Sequence, residues 1–472
     1  MFRYIFFILI RRKWFFFALA VMFLIAYSTP PSGLDFKGMA VLGITAMAII
    51  LFVSSAIPLP ATAILIAFFQ VALGVGRPNQ IARSFTGDSM LFIMGILLIS
   101  NILIYQKIDK RLARLLVKFT GLNISRLAFG IMVLCALLAA FIGEHTASAI
   151  LFPVVLSFIA GIKPEHKSKG NAAKLLLFCL AYSSMIGGLA TPSGGARNPL
   201  MIEYLWRIAG IKVNYLQWTV FALPITIFLI PVIYFILKIT FRIKKDATEI
   251  INEENLKINA STRHGFSGTE RLTILIFLII LTLWIFFSDQ LGMGIIALIG
   301  VFLYLITGVA DWREISKKTN WGIILIYASA LSLGLAMKQT GVTVWFAEGI
   351  TDLLFTLNIN NKMILIGFIG ATSSLLSDIL SHGPSVAVSA PIFLRLADVT
   401  HINVLSVGLI NAITSSFGFL TIIAAPTNSL IYTSGYIKTI DYIKAGWLCT
   451  IMAVAVTILF SIFYWNLLGY SL

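Results

Sequence analysis

Long apolar runs separated by short polar segments fill almost the whole chain. A helix that crosses a bilayer needs roughly 20 apolar residues. On this rule the pattern predicts an all-α polytopic membrane protein with about 11 transmembrane helices. The predicted spans lie near residues 14–28, 39–57, 60–76, 88–106, 171–190, 217–240, 272–288, 291–309, 319–337, 403–422 and 443–467.

A further apolar run, residues 124–160, is too long for one helix and contains the polar sequence GEHTAS (Gly143–Ser148). Both of its flanks, Lys118–Arg126 and Lys163–Lys174, are basic. Basic loops lie on the cytoplasmic side of a membrane. The run must therefore enter and leave on the same face, which predicts a re-entrant hairpin with its tip near Glu144–Thr146.

A second long run, residues 361–397, repeats this pattern around Ser381–Pro384. The span count places its flanks on the outer side. One hairpin from each face of the membrane indicates two inverted repeats.

After each hairpin comes a span that breaks. The sequence TPSGGARN (Thr191–Asn198) cannot continue a helix, because proline removes a donor and paired glycines favour turns. The sequence AAPTN (Ala424–Asn428) interrupts the later span. Non-helical backbone at membrane depth survives only around a protected site. Half-helix N-termini attract anions and freed carbonyls coordinate small cations, so the breaks predict neighbouring anion and cation sites.

The repeats divide the chain into five predicted segments. They are an N-terminal interfacial helix with scaffold spans (1–121), a first transport half (122–241), a cytoplasmic linker (242–271), scaffold spans of the second repeat (272–357) and a second transport half (358–472). Amphipathic segments precede the hairpins at Lys107–Gly121 and Val342–Phe355, and such segments are typical of helices in the membrane interface.

Composition agrees with a membrane protein that has no soluble catalytic domain. The chain is 59% hydrophobic and 11% charged, whereas soluble chains carry about 25% charged residues. The net charge is +16, and most of the Lys and Arg residues fall in loops of one face. This asymmetry orients the chain with its N-terminus cytoplasmic and its C-terminus outside. The charge is explained by anionic membrane lipid, and no nucleic acid partner is expected.

Two further features exclude other classes of protein. The N-terminus lacks a basic start and a small-residue cleavage site, so we expect no signal peptide. Cys135, Cys179 and Cys449 all lie in apolar runs without the spacing of a metal site or a disulfide framework. They are interpreted as buried apolar residues.

The arrangement resembles the divalent anion:sodium symporter family, which carries dicarboxylates, citrate and sulfate. Family members have two hairpins tipped by Ser-Asn-Thr and two broken helices that read approximately G-T-P-x-G-T-x-P-N. The matching positions here are Thr191, Pro192, Gly194, Asn198, Pro426 and Asn428, together with Asp378 at a position that is often acidic. The resemblance covers nearly the whole chain in order and topology.

The chain departs from the family at both hairpin tips. Glu144-His145-Thr146 and Ser381-His382-Gly383 stand where the family has Ser-Asn-Thr, and Arg197 stands where it usually has an uncharged residue. The register of the first hairpin can shift by one residue, because its tip is one residue closer to Pro153 than the second tip is to Pro391.

The residues and the resemblance together predict two sets of site residues. The resemblance implies roles for Thr146, Ser148, Asn198, Ser381, Ser385 and Asn428, and only positions for His145, His382 and Arg197. The predicted substrate-binding residues are His145, Thr146, Arg197, Asn198, His382, Gly383, Thr427 and Asn428. The predicted ion-binding residues, for Na+ if the protein is sodium-coupled, are Glu144, Ser148, Thr191, Gly194, Asp378, Ser381, Ser385 and Ala425. No cofactor is implied beyond the coupling ion, which is Na+ or H+.

Two interpretations of the substituted residues stay open. In the first, His145, His382 and Arg197 supply positive charge, which weakens the sodium requirement and favours proton coupling or exchange. In the second, they pair structurally with Glu144 and Asp378, because ionisable groups within membranes rarely stand alone. Sodium then couples through hydroxyl and carbonyl oxygens.

The leading functional hypothesis is a secondary active importer of a small di- or trivalent anion in a bacterial inner membrane. An elevator motion and a homodimer are implied by the resemblance. Dicarboxylate is the expected substrate, and sulfate or another oxyanion is the alternative. An intramembrane protease built on Ser148 with His145, or Ser385 with His382, lacks any protease motif. A channel or passive exchanger on the same fold is the third hypothesis.

Overall fold

The structure is a computed structural model that describes residues 12–106, 116, 118–121, 123–162, 168–243, 267–356 and 361–470. Some of the predicted segments fall outside these residues. They are the interfacial helix before residue 12, most of the amphipathic segment 107–121, most of the linker 242–271 and the start of the basic flank at 163–174.

Helices account for nearly all of the described chain. Those of the first half are α1 (Lys13–Ala26), α2 (Phe36–Ser54), α3 (Leu59–Ala72), α4 (Pro78–Arg83), α5 (Asp88–Tyr105), α6 (Ile124–Ile142), α7 (Glu144–Gly161), α8 (Lys169–Gly187), α9 (Arg197–Ala209) and α10 (Tyr215–Thr240). A 3-10 turn, Pro192–Gly194, separates α8 from α9.

The described part of the second half also has ten helices. Its helices are α11 (Gly268–Leu291), α12 (Met293–Ile306), α13 (Trp312–Lys318), α14 (Trp321–Gln339), α15 (Val342–Thr356), α16 (Lys362–Leu380), α17 (His382–Val399), α18 (Val404–Thr414), α19 (Pro426–Tyr432) and α20 (Thr439–Leu467). Nine of the described helices are long and apolar enough to cross a membrane, and four shorter ones are apolar. The predicted all-α polytopic membrane protein is confirmed.

At each of the two predicted hairpins, one residue joins two consecutive helices. Gly143 joins α6 to α7 with φ +87°, and Ser381 joins α16 to α17 with φ +72°. Left-handed φ values favour glycine, so Ser381 holds a strained backbone conformation. The first arms are both 19 residues long and the second arms both 18.

This geometry decides the register of the first hairpin. Gly143 is the counterpart of Ser381, so Glu144 matches His382, and Pro153 and Pro391 fall at the same place in the second arms. The sequence left two registers open, and the structure has the one shifted by a residue, in which Glu144 does not match Ser381. The turn forms at the residue with positive φ, and the order of polar residues in the sequence does not identify that residue.

The second break starts earlier than predicted. The span expected at 403–422 ends as helix α18 at Thr414, and a non-helical segment with turns continues to Ala425. The first part of this segment is packed inside the protein. Phe417 and Phe419 are fully buried, and the Phe419 ring lies 4.3 Å from the Tyr182 ring.

Small residues allow the helices around the site to approach closely. In α8, a Cβ built on Gly187 would lie 2.3 Å from the Ala136 carbonyl oxygen of α6, a contact between two backbones. Gly170, at the other end of α8, has no atom within 4 Å of such a Cβ. Membrane helices commonly use small residues in this way, since lipid supplies no hydrophobic force between them.

We predict that Gly187→Ala destabilises the protein and that the matched variant Gly170→Ala does not. The methyl group added at position 187 would force α6 and α8 apart, and overpacking of this kind costs about 1–3 kcal/mol. At Gly170 the added methyl group meets no atom, and alanine favours helix. The thermal unfolding midpoints of the purified variants in detergent test this. Equal midpoints for both variants would show that α6 and α8 do not pack as described.

Candidate functional site

Both hairpin turns and both helix breaks line one cavity of about 770 Å³. The first half contributes Gly143–Thr146 and Pro192–Ala196, and the second contributes Ser381–Pro384 with Ile423 and Pro426. Tyr327 of α14 also lines the cavity. The turns and breaks therefore meet at one place.

The predicted site residues divide into two layers. Those that line the cavity are Glu144, His145, Thr146, Gly194, Ser381, His382 and Gly383. The others are at most 4% exposed and lie behind this lining: Ser148, Thr191, Arg197, Asn198, Asp378, Ser385, Ala425, Thr427 and Asn428. The second layer holds the breaks in shape.

An asparagine clamps each break by the same two hydrogen bonds. Asn198 Nδ2 donates to the carbonyls of Gly188 and Thr191, both at 2.8 Å. Asn428 Nδ2 donates to the carbonyls of Gly418 at 2.9 Å and Thr421 at 2.7 Å. In each half the partners lie ten and seven residues earlier in the chain.

These bonds fix the direction of each amide. Carbonyl oxygens only accept, so the nitrogen must face them and the oxygen must face away. Both Asn198 Oδ1 and Asn428 Oδ1 are buried without a hydrogen-bond partner among the described residues. A buried oxygen of this kind requires a donor, a water molecule or a cation. Each half thus presents one strong oxygen ligand.

The break in the first half is also held by a hydroxyl network. The Thr191 hydroxyl donates to the Ala140 carbonyl of α6 and lies 2.9 Å from Ser193 Oγ. Ser193 Oγ in turn lies 2.9 Å from Tyr215 Oη. Thr191 therefore ties the break to the hairpin, and its hydroxyl is already committed to protein partners.

A buried ion pair connects the first hairpin turn to the first break. Arg197 Nη1 lies 2.9 Å from Glu144 Oε2, and the two side chains are 1% and 5% exposed. Arg197 Nε donates to Ser416 Oγ at 2.7 Å, which reaches the break of the second half. Removing one partner of such a pair costs about 3–5 kcal/mol. The predicted structural pairing of Arg197 with Glu144 is observed.

His382 is held by backbone and serine rather than by an acid. Its Nδ1 lies 2.6 Å from the Ser415 carbonyl and 2.8 Å from Ser377 Oγ. The carbonyl only accepts, so Nδ1 carries the proton, and Nε2 is buried without a partner among the described residues. Pairing with Asp378, part of one of the two open interpretations, is not seen for His382 among the described residues, because the ring turns toward the end of α18.

His145 and Asp378 differ in how far they are buried and in their partners. His145 is 43% exposed at its side chain, with Nε2 3.7 Å from Glu144 Oε1. Asp378 is 4% exposed, and its Oδ1 accepts from the Leu420 backbone N–H at 2.8 Å. Asp378 Oδ2 has no partner in the part of the chain that the structure describes. Asp378 thus fixes the second break and keeps one oxygen available.

Sequence reasoning missed the serines at the end of α18 and their partners. Ser415 and Ser416 accept from His382 and Arg197, yet they fell inside a predicted span. Ser373 of α16 and Ser389 of α17 both accept from Asn411 Nδ2. Serines spaced by four residues along the arms are the signal that could have located this polar interface.

Tyr327 explains why glycine stands at position 383, where the family has threonine. A Cβ built on Gly383 would lie 2.3 Å from the Tyr327 hydroxyl oxygen. No side chain fits at this position while Tyr327 stands there. The tyrosine hydroxyl thus occupies the space that a longer residue at position 383 would need.

Comparisons with known proteins agree with this fold. A solved structure of the Alcanivorax borkumensis YdaH transporter is similar, with a TM-score of 0.57, 13% identity, and coverage of 83% of this chain and 88% of that one. Two curated relatives are 22% identical. The match to the sodium-dependent dicarboxylate transporter SdcS of Staphylococcus saprophyticus covers 91% of this chain and 86% of the relative. The match to the sodium-dependent low-affinity dicarboxylate transporter 1 of Caenorhabditis elegans covers 88% and 84%.

A family model described as the sodium:sulfate symporter transmembrane region matches residues 11–471. The family consists of transporters, so the expectation that the protein is not an enzyme is confirmed. The resemblance to the divalent anion:sodium symporters is confirmed as well. This chain is a membrane transporter of the sodium:sulfate symporter family.

Proposed function

We propose that the protein is a secondary active importer of a small di- or trivalent anion, a dicarboxylate, by symport with sodium. The observation that carries the proposal is the pair of clamped asparagines, each with an unpartnered oxygen behind one shared cavity. Relatives named as sodium-dependent dicarboxylate transporters support the same conclusion.

The anion binds between the two hairpin turns. Helices α7 and α17 begin at Glu144 and His382, at the cavity wall. The first N–H groups of a helix have no partner within the helix, and its positive end attracts anions. His145, Thr146 and Gly383 lie in these first turns, so their backbone and side-chain donors are available to a bound carboxylate.

Sodium binds behind the anion as a second substrate. A hard cation of this kind takes oxygen ligands. Asn198 Oδ1, Asn428 Oδ1 and Asp378 Oδ2 are buried oxygens without partners among the described residues. Binding of sodium neutralises part of the substrate charge, which couples the affinity of one to the other.

Alternating access follows from an elevator motion of the hairpins and broken helices against the scaffold. The cavity reaches Lys318 and Asn320, beside the basic helix α13. Basic loops are cytoplasmic, so this state opens inward. We further propose a homodimer in a bacterial inner membrane, with the N-terminus cytoplasmic and the C-terminus outside.

A second candidate is a proton-coupled or exchange-type transporter of sulfate or another oxyanion. The observation that favours it is His382 Nε2, which is buried at the cavity without a partner among the described residues. A proton on Nε2 would create a donor for an oxyanion, and histidine changes charge near neutral pH.

We predict that Asn198→Ala and Asn428→Ala each abolish accumulation while expression stays intact. Each change removes a donor from two carbonyls and removes one proposed cation ligand, and an unsatisfied buried group costs about 1–3 kcal/mol. Uptake into proteoliposomes under a sodium gradient measures the loss. Asn214→Ala is the matched control, because Asn214 caps the exposed start of α10. Unchanged uptake in both site variants would remove the asparagines from the site.

We predict that uptake requires sodium and varies little with pH. Transport is measured with sodium or potassium between about pH 5.5 and 8, the range in which histidine titrates. Sodium symport gives no accumulation in potassium. Accumulation that ignores sodium but rises steeply as the pH falls would instead establish the proton-coupled candidate.

We predict that dicarboxylates stabilise the purified protein only when sodium is present. A ligand that binds the native state raises the thermal midpoint. Succinate, malate, citrate, sulfate and phosphate are compared, each with sodium or potassium. Stabilisation by sulfate alone would assign the site to an oxyanion rather than to a dicarboxylate.

A further inference from the structure

One face of helix α14 meets the parts of the chain that the sequence assigns to the two transport halves. Helix α14 itself lies within the predicted scaffold spans 272–357. Tyr327, Gly334 and Lys338 are seven and four residues apart, so they lie on the same side of the helix. Each of them contacts helix α9 or helix α17, which belong to the transport halves.

At the centre of this face, the Tyr204 side chain of α9 lies against Gly334. A Cβ built on Gly334 would lie 2.4 Å from Tyr204 Oη and 2.6 Å from a ring carbon. Tyr204 is fully buried, and its hydroxyl donates to the Ala330 carbonyl of α14 at 2.7 Å. Buried side chains are closely packed and the ring is held by this bond, so only glycine fits at position 334 while α9 rests there.

Tyr327 makes the opposite contact, two helical turns away. Here the tyrosine belongs to α14 and the glycine, Gly383, to the start of α17. A Cβ built on Gly383 would lie 2.3 Å from Tyr327 Oη. Tyr204 Oη also lies 3.2 Å from the Ala387 carbonyl oxygen of α17, one turn after Gly383. Both transport halves therefore rest on this face of α14.

Lys338 completes the face at the exposed end of α14. Its Nζ donates to the Ile208 carbonyl at 2.8 Å and lies 3.3 Å from the Arg207 carbonyl oxygen. The last carbonyls of a helix have no partner within the helix, and a lysine side chain satisfies them well. Lys338 thus caps the end of α9 from a different predicted part of the protein.

These contacts differ in kind from those inside a transport half. Gly187 packs on Ala136 within the first transport half, so no rigid-body motion of that half relieves a clash there. The contacts of Tyr327, Gly334 and Lys338 cross between two parts. Interfaces of this kind form or separate as a whole when one part moves against the other.

We infer that this face of α14 is the seat that the transport halves occupy only in the inward-open state, and that glycine at position 334 allows them to reach it. The inference rests on the proposed elevator motion and adds the contacts at which that motion ends. A methyl group at position 334 therefore disfavours one state of the protein rather than its fold.

The experiment compares Gly334→Ala with the otherwise native protein by labelling a thiol in the cavity. Ala149 is exposed and lines the cavity, so Ala149→Cys supplies the thiol. Cys135, Cys179 and Cys449 are buried. An impermeant maleimide applied to the cytoplasmic side of inside-out vesicles therefore reports access to the cavity. Overpacking at Gly334 should lower the ratio of inward-open to outward-open protein about fivefold or more, which slows the labelling.

Matched variants separate this effect from a general effect of substitution. A Cβ on Gly367 of α16 meets no atom within 4 Å, so Gly367→Ala should keep the native labelling rate. Lys338→Met removes the lysine cap without adding volume at the seat and should slow the labelling as Gly334→Ala does. Lys362→Met should not, because Lys362 bonds the His401 carbonyl at 3.0 Å within the second transport half.

Native labelling in Lys338→Met, or in a folded Gly334→Ala protein, overturns the inference. A Gly334→Ala protein whose thermal midpoint falls as far as that of Gly187→Ala overturns it too, because the contact then belongs to the fold in every state. The labelling needs neither sodium nor succinate, so a wrong substrate or coupling ion in the proposed function leaves the test intact. Resistance of Ala149→Cys to cytoplasmic labelling in the otherwise native protein rejects the inward-open assignment and the inference with it.

Discussion

A main chain that leaves its helix within a membrane must find partners for its peptide groups, and here one side chain does this in each half. Asn198 and Asn428 each donate to two carbonyls at the break through a single amide nitrogen. The cost of an unpaired buried carbonyl is high in a medium without water. The clamp therefore makes the break possible, and the same clamp leaves the amide oxygen free.

The clamp also depends on a close approach that only small residues permit. In the first half, a Cβ on Gly194 would lie 2.5 Å from the Gly188 carbonyl oxygen. In the second half, a Cβ on Gly418 would lie 2.6 Å from the Ala424 side chain. The loop can fold back on itself because these positions carry little or no side chain. Backbone shape and free oxygen are thus consequences of one local arrangement.

Sequence patterns predicted the features that depend on local chemistry. Apolar length located the helices, and proline with paired glycines located the break at Thr191–Asn198. Polar residues within long apolar runs located both hairpin turns. Each of these signals acts within a few residues of the element it specifies, so one sequence suffices to read it.

Features set by distant contacts were not predictable in this way. Helix α18 ends early, at Thr414, and Phe417 and Phe419 after it pack inside the protein. In the sequence these apolar residues cannot be told from residues of a transmembrane helix. The partner of His382 is the Ser415 carbonyl, which became visible only when the second arm and the end of α18 were placed together.

The two halves have similar breaks but carry different charged side chains around them. A buried ion pair such as Arg197 with Glu144 adds little stability compared with apolar residues of the same size. The pair joins the first hairpin turn to the first break, and Ser416 extends this contact to the second break. It therefore fixes the relative positions of the turn and the two breaks without adding net charge. In the second half His382 takes the place of Glu144, and its Nδ1 bonds the Ser415 carbonyl. Because the asparagine clamps hold the shape in both halves, side chains at two positions can set the charge of each site without disturbing the fold.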